Sequence, residues 1–184
     1  MQKIDAYSFY NAWVKTVNSR KNDIKNKWYN FYEYTNLVLS SDNCLLNNVA
    51  NILNLNLYPN EYYSLDAVFY SDNDRIQKII DTPENLYWFY NIKVAIEHEN
   101  CFNIKLYQEV SHLLITDCDL KVLITYPNSI NQRDQIIDSL YEIVKKSKRC
   151  KEISDKASFI IINGYNEGSI WDGYIFREDK WEII

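Results

Sequence analysis

Three glycines, three prolines, one methionine and two histidines are few for a chain of 184 residues. Scarce glycine and proline leave few sharp breaks, so regular elements should dominate. With glycine only at 164, 168 and 173, no glycine-rich phosphate loop can form. No stretch approaches the ~18–20 consecutive apolar residues that cross a bilayer. The opening MQKIDAYSFYNAWVK shows neither the apolar segment nor the cleavage site of a secretory signal. The four cysteines, Cys44, Cys101, Cys118 and Cys150, include no CxxC pair. That excludes a zinc frame and a small disulfide scaffold and leads us to expect reduced thiols in a cytoplasmic protein. A net charge of −5 argues against indiscriminate coating of nucleic acid, though not against a DNA enzyme whose cations are gathered locally.

What is present is an ordinary hydrophobic fraction, 47%, with 16 Tyr and 5 Trp, enough to bury the core of one domain over residues 1–184. Phe9, Trp13, Val17, Ile24, Trp28 and Phe31 predict helix from Ser8 to about Leu39, interrupted at Asn22–Asp23. Leu45, Leu46, Val49, Ile52 and Leu53 predict another over Asp42–Leu57, capped by Asp42 or Asn43. Tyr63–Tyr70 is aromatic and β-branched, as in a strand, and Ser71–Asp74 is a turn. Short strands at Ile76–Ile80 and Leu86–Tyr90 follow, then a strand over Lys93–Glu99 and a helix over Phe102–Ile115, capped by Asn100. Leu120–Tyr126 reads as a strand buried on both faces, Asn131–Lys148 as a helix, and Ala157–Asn163 and Ser169–Phe176 as strands. The class is mixed α/β, with a βαβ crossover from Lys93 to Tyr126 whose two strands should be parallel.

Val94-Ala-Ile-Glu-His-Glu-Asn100 is the segment richest in chemistry. In a strand Glu97 and Glu99 project from one face and His98 from the other. Two carboxylates at the end of a strand are costly unless solvated, protonated or bound to a cation, and ordinary surface acids account for the spacing equally well. Asp66 is the second signal: an acid inside the apolar run YSLDAVFY. An acid in one strand and an acidic step in a later one is how hard divalent cations are held. His112 stands one turn beyond Glu109 on the intervening helix, where a solvated polar contact is expected.

Leu65-Asp66-Ala67-Val68, the later Ile96-Glu97-His98-Glu99-Asn100, a helix and the buried LKVLITY strand resemble the PD-(D/E)xK nuclease superfamily over roughly Asp42–Tyr126. The resemblance implies a three-layer-like restriction-endonuclease-like core (αβββαβ) with a mixed sheet, preceded by N-terminal helices and followed by an extra helix and strands. It implies a Mg²⁺ or Mn²⁺ site formed by Asp66, Glu97 and the backbone carbonyl of His98. The family's lysine position carries Glu99 instead, so Glu99, or Lys105 or Gln108 from the following helix, would assist the attacking water. A further acid, Glu33 or Glu61, would complete the site. The implied activity is metal-dependent phosphodiester hydrolysis, with DNA as partner.

Lys145, Lys146, Lys148, Arg149 and Lys151, and separately Lys15, Arg20, Lys21, Lys25 and Lys27, could follow a nucleic-acid backbone. Cations at a helix C-terminus also complement its dipole, which is the favoured reading of the first group. The alternative function is a catalytically inactive module of the same fold, such as a cytosolic immunity protein or antitoxin occluding a basic protein toxin. The acidic balance and the missing lysine favour it; the Asp…Glu-x-Glu pattern favours the nuclease. No membrane partner is expected, and a homodimer is compatible with either reading.

Overall fold

Asp5 starts the first helix. In a computed structural model, described for residues 4–40, 42–58, 60–76, 88–100 and 105–184, its carboxylate accepts the Ser8 N–H at 2.7 Å while Ser8 Oγ accepts the Asp5 N–H at 3.3 Å. This reciprocal capping satisfies two of the donors that a helix start leaves open. Helix α1 (Ala6–Ser19) then buries Phe9, Trp13 and Val17. The break comes at Arg20, earlier than Asn22–Asp23. Arg20 leaves the helical region (φ −119°, ψ 22°), and its guanidinium pairs with Asp23 and donates to the Asn43 carbonyl at 2.8 Å, which fixes the bend. Helices α2 (Lys21–Lys27) and α3 (Phe31–Thr35) follow, the latter capped by Asn30 and running into a π-helical turn, Asn36–Ser40.

Helix α4 (Leu45–Ile52) is capped by Cys44, whose Sγ accepts the Asn47 N–H at 3.3 Å, rather than by Asp42 or Asn43. It ends sooner than Leu57, because Asn54 turns left-handed (φ 55°) and releases the chain into a strand, β1 (Asn56–Tyr58). The strand expected over Tyr63–Tyr70 is also shorter. Tyr63 and Ser64 are left-handed (φ 50° and 69°), and Tyr62 and Leu65 exchange backbone hydrogen bonds at 2.9 and 3.0 Å. The tight turn delays β2 to Ala67–Tyr70 and leaves Asp66 immediately before it. The turn after it is a 3₁₀ segment, Asp72–Asp74.

Of the next two expected strands, residues 77–87 lie outside the described residues, and Phe89 makes an isolated bridge to Arg75. Strand β3 (Val94–Glu99), helix α5 (Lys105–Ile115), strand β4 (Leu120–Thr125) and helix α6 (Ile130–Lys146) fall close to where the hydrophobic pattern puts them. The start expected at Phe102 lies outside the described residues. After α6 come a short helix without a sequence signal, α7 (Cys150–Lys156), strands β5 (Phe159–Tyr165) and β6 (Ile170–Arg177), and a final hairpin strand, β7 (Lys180–Ile183).

Among the described residues, seven strands form one mixed sheet in sequence order. β1, β2 and β3 run antiparallel, β3, β4 and β5 parallel, and β5, β6 and β7 antiparallel again. The two parallel steps are the ones bridged by helices, as a parallel pair requires. One sheet face, with Phe69, Ile96, Val122 and Ile160, packs on Phe9 and Trp13 of α1 and Leu45 and Val49 of α4. The opposite face, with Ala95, Leu123 and Ile161, packs on Leu106 and Val110 of α5 and Leu140 of α6. The result is three layers with β3 and β4 buried on both sides. Alternation along β3 therefore decides which helix layer each polar residue at its end must meet. Among the described residues, no helix is long and apolar enough to cross a membrane.

Candidate metal centre

The antiparallel register Ala67↔Ile96 sets Asp66 beside Glu97. The pair is interlocked through the backbone: Glu97 Oε2 accepts the Asp66 N–H at 3.3 Å, and Asp66 Oδ2 accepts the His98 N–H at 2.8 Å. Glu97 is fully buried, at 0% exposure, on the α5 face of the sheet. Burial, then the charges of Asp66 and Glu109, push its carboxyl up to about 10. Burial, followed by neighbouring charges, also holds Asp66 and Glu109 above the usual carboxylate range. Without a cation, these surroundings favour the protonated, neutral form of Glu97.

Helix α5 supplies the rest of the cluster. Its apolar residues Leu106, Val110 and Leu113 seat it on the sheet. Glu109 and His112, three residues apart and so on one face, turn toward β3. His112 Nδ1 lies 3.2 Å from Glu97 Oε1 and 3.4 Å from Glu109 Oε2. One ligand atom from each of Glu97, Glu109 and His112 lies within 4.8 Å of the others. The polar contact expected between His112 and Glu109 is present, and a second contact, to the buried Glu97 carboxyl, is added to it. The signal that could have found it is the Glu-x-x-His spacing on a helix that must cross β3.

The remaining sequence candidates divide. Glu99 projects from the same face of β3 and is partly exposed; its charge acts on both Asp66 and Glu109. Of the two early acids, Glu61 is the one whose charge reaches Asp66, whereas Glu33 sits in the first turn of α3. Lys105 begins α5 and is exposed, as is Gln108. Lys145 is paired with Asp179 at 3.0 Å, Lys146 with Glu142 at 3.5 Å, and Arg149 with Asp117 and Glu152 at 2.8 and 2.9 Å. Lys148 is exposed on the same stretch. Carboxylate partners thus already neutralise three of these four cations.

The His98 side chain points to the other sheet face, so only its backbone is on the Asp66 side. Its Nε2 is 2.8 Å from the Tyr126 hydroxyl, its Nδ1 has no hydrogen-bond partner, and burial holds the ring down to about 3. It is a neutral imidazole in an aromatic wall with Tyr34, Tyr126 and Trp28. That wall borders a pocket of about 470 Å³ at the ends of β3, β4 and β5, reached by Asn100, Tyr126 and Tyr165. The sheet separates the carboxylate cluster from this aromatic pocket. Comparison with protein-family profiles, curated proteins and solved structures found no match.

Proposed function

We propose that the protein is a divalent-metal-dependent phosphodiester hydrolase, acting on DNA, with its centre at Asp66 and Glu97. The observation that carries the reading is the convergence of these two carboxyl groups, 31 residues apart in sequence, at one spot beside the backbone of His98. The donor set fits a cation: acids held above their ordinary range by burial and by one another are relieved when a positive charge arrives. The order helix, three antiparallel strands, helix, parallel strand (α4 to β4) supports the restriction-endonuclease-like reading of the core.

Asp66, Glu97 and the His98 carbonyl would hold Mg²⁺ or Mn²⁺. A cation there supplies an activated water and offsets charge on the phosphate. The chain does the rest. The backbone hydrogen bonds fix both carboxylates before substrate arrives, so little reorganisation is needed. Glu99, more exposed on the same face, would orient the attacking water and accept its proton. The test is cleavage of plasmid DNA with Mn²⁺ by the wild type, Asp66→Asn and Glu99→Gln. Loss by at least about 100-fold in Asp66→Asn supports the reading; an inactive wild type contradicts it.

A second reading, a non-catalytic binding module for a protein toxin, is favoured by one observation. Tyr29, Phe31 and Tyr32 stand 78%, 63% and 77% exposed side by side around the start of α3, and aromatic residues are enriched where proteins dock. Under this reading Asp66→Asn leaves partner binding intact and Tyr32→Ala weakens it.

A further inference from the structure

From the geometry on α5 we infer that Glu97, Glu109 and His112 form a transition-metal site in which His112 Nδ1 is a direct ligand. This deepens the reading above by sharing Glu97 with it. The separations are those of donors around one ion. With metal–donor bonds of about 2.1 Å, adjacent donors in tetrahedral or octahedral geometry stand roughly 3.0–3.4 Å apart. Nδ1 is 3.2 Å from the Glu97 oxygen and 3.4 Å from the Glu109 oxygen. All three donors lie within 4.8 Å of one another. Glu109, at 18% side-chain exposure against 1% for Glu97, is the carboxylate nearer solvent.

The elements explain why the set is preformed. Glu97 is fixed by β3 and by the Asp66 N–H. Glu109 and His112 are fixed in register by α5, whose apolar stripe determines its rotation on the sheet. Three protein donors with solvent access past Glu109 and His112 leave a coordination position open, the pattern of a catalytic rather than a structural site. The imidazole decides the class of ion. Mg²⁺ and Ca²⁺ take oxygen donors, whereas a mixed imidazole–carboxylate set suits Zn²⁺ and its first-row neighbours. The preference expected of this site is therefore Zn²⁺ over Mg²⁺.

His98 and His112 are the only histidines in the chain, so imidazole ¹⁵N NMR reads the site directly. Titrating the full chain with Zn²⁺ should move the His112 Nδ1 resonance and leave that of His98, on the other sheet face, in place; an equal concentration of Mg²⁺ should move neither. Zn²⁺ affinity should fall about 100-fold in His112→Gln and also in Glu109→Gln, which keeps the helix surface nearly isosteric. An unmoved His112 resonance with dication binding retained through Asp66 and Glu97 overturns the inference and leaves the hydrolase reading standing. Zn²⁺ ligation by His112 without cleavage of DNA supports the inference and counts against that reading. No binding of either ion overturns both.

Discussion

Asp66 and Glu97 hold each other through the main chain: each carboxylate accepts a backbone N–H from the other's strand junction, at 2.8 and 3.3 Å. The arrangement places two acids side by side, Glu97 fully buried and Asp66 partly so. Its cost to the metal-free protein is measurable.

The first consequence is a falling pH–stability curve. Glu97 has a folded-state carboxyl raised from 4.5 to about 10. Below pH 4.5 it is protonated in both folded and unfolded chains. Between pH 4.5 and about 10 the unfolded chain ionises and the folded one does not, so stability falls as pH rises, by at most about 1.4 kcal/mol per unit. Glu97→Gln should flatten that slope and melt higher than the wild type at pH 8. Denaturant unfolding across pH 5–9 without metal checks this; parallel wild-type and mutant curves contradict it.

His98 bends the curve at the other end. Its ring is depressed from 6.5 to about 3, so its contribution is complete above pH 6.5 and is lost as pH falls toward 3, where the unfolded chain takes up a proton first. His98→Phe should flatten the acid limb and leave the alkaline limb unchanged. Tyr126→Phe, which removes the partner of Nε2, should cost about 1–3 kcal/mol by leaving a buried polar atom unpaired. Thermal melts of both variants at pH 4 and 7 separate the two effects.

The turn between β5 and β6 makes a prediction about the fold alone. Gly168 has φ +74°, and a Cβ there would overlap Ile24 Cγ2 and meet Trp28 Cζ3 at 3.0 Å. Gly168→Ala should destabilise by more than about 1 kcal/mol, since both backbone strain and overlap with the Ile24 and Trp28 side chains oppose it. An unchanged urea midpoint would contradict this.

The sequence made the inner part of the fold legible and its margins less so. Val94–Glu99, the helix through Leu106, Val110 and Leu113, and Leu120–Thr125 are buried on defined faces, and burial writes a periodicity into the residues. Strands β1 and β7 are short and lie at the sheet's edges, where only part of each faces a core. α7 spans seven residues, too few for a helical period to stand out. The bounds of β2 depended on left-handed Tyr63 and Ser64, residues that composition alone assigns to a strand. At the site, Asp66 was visible as an acid inside an apolar run, and Glu97 as one of two carboxylates on one face at the end of a strand. Glu109 and His112 looked ordinary on an amphipathic helix, because what sets them apart is the carboxyl across from them on β3.

The most direct test of the account is calorimetric titration of Mn²⁺ into the wild type and Glu97→Gln, repeated at pH 6 and pH 8. A buried neutral acid must release its proton to bind a cation, so wild-type affinity should rise with pH, by up to about tenfold per unit, with proton release visible as a buffer-dependent heat. Saturation at a hundred times the dissociation constant should add about 2.7 kcal/mol of stability. Glu97→Gln should show neither binding nor stabilisation. Equal Mn²⁺ affinity in wild type and mutant, or affinity that does not depend on pH, would contradict a metal centre at Glu97.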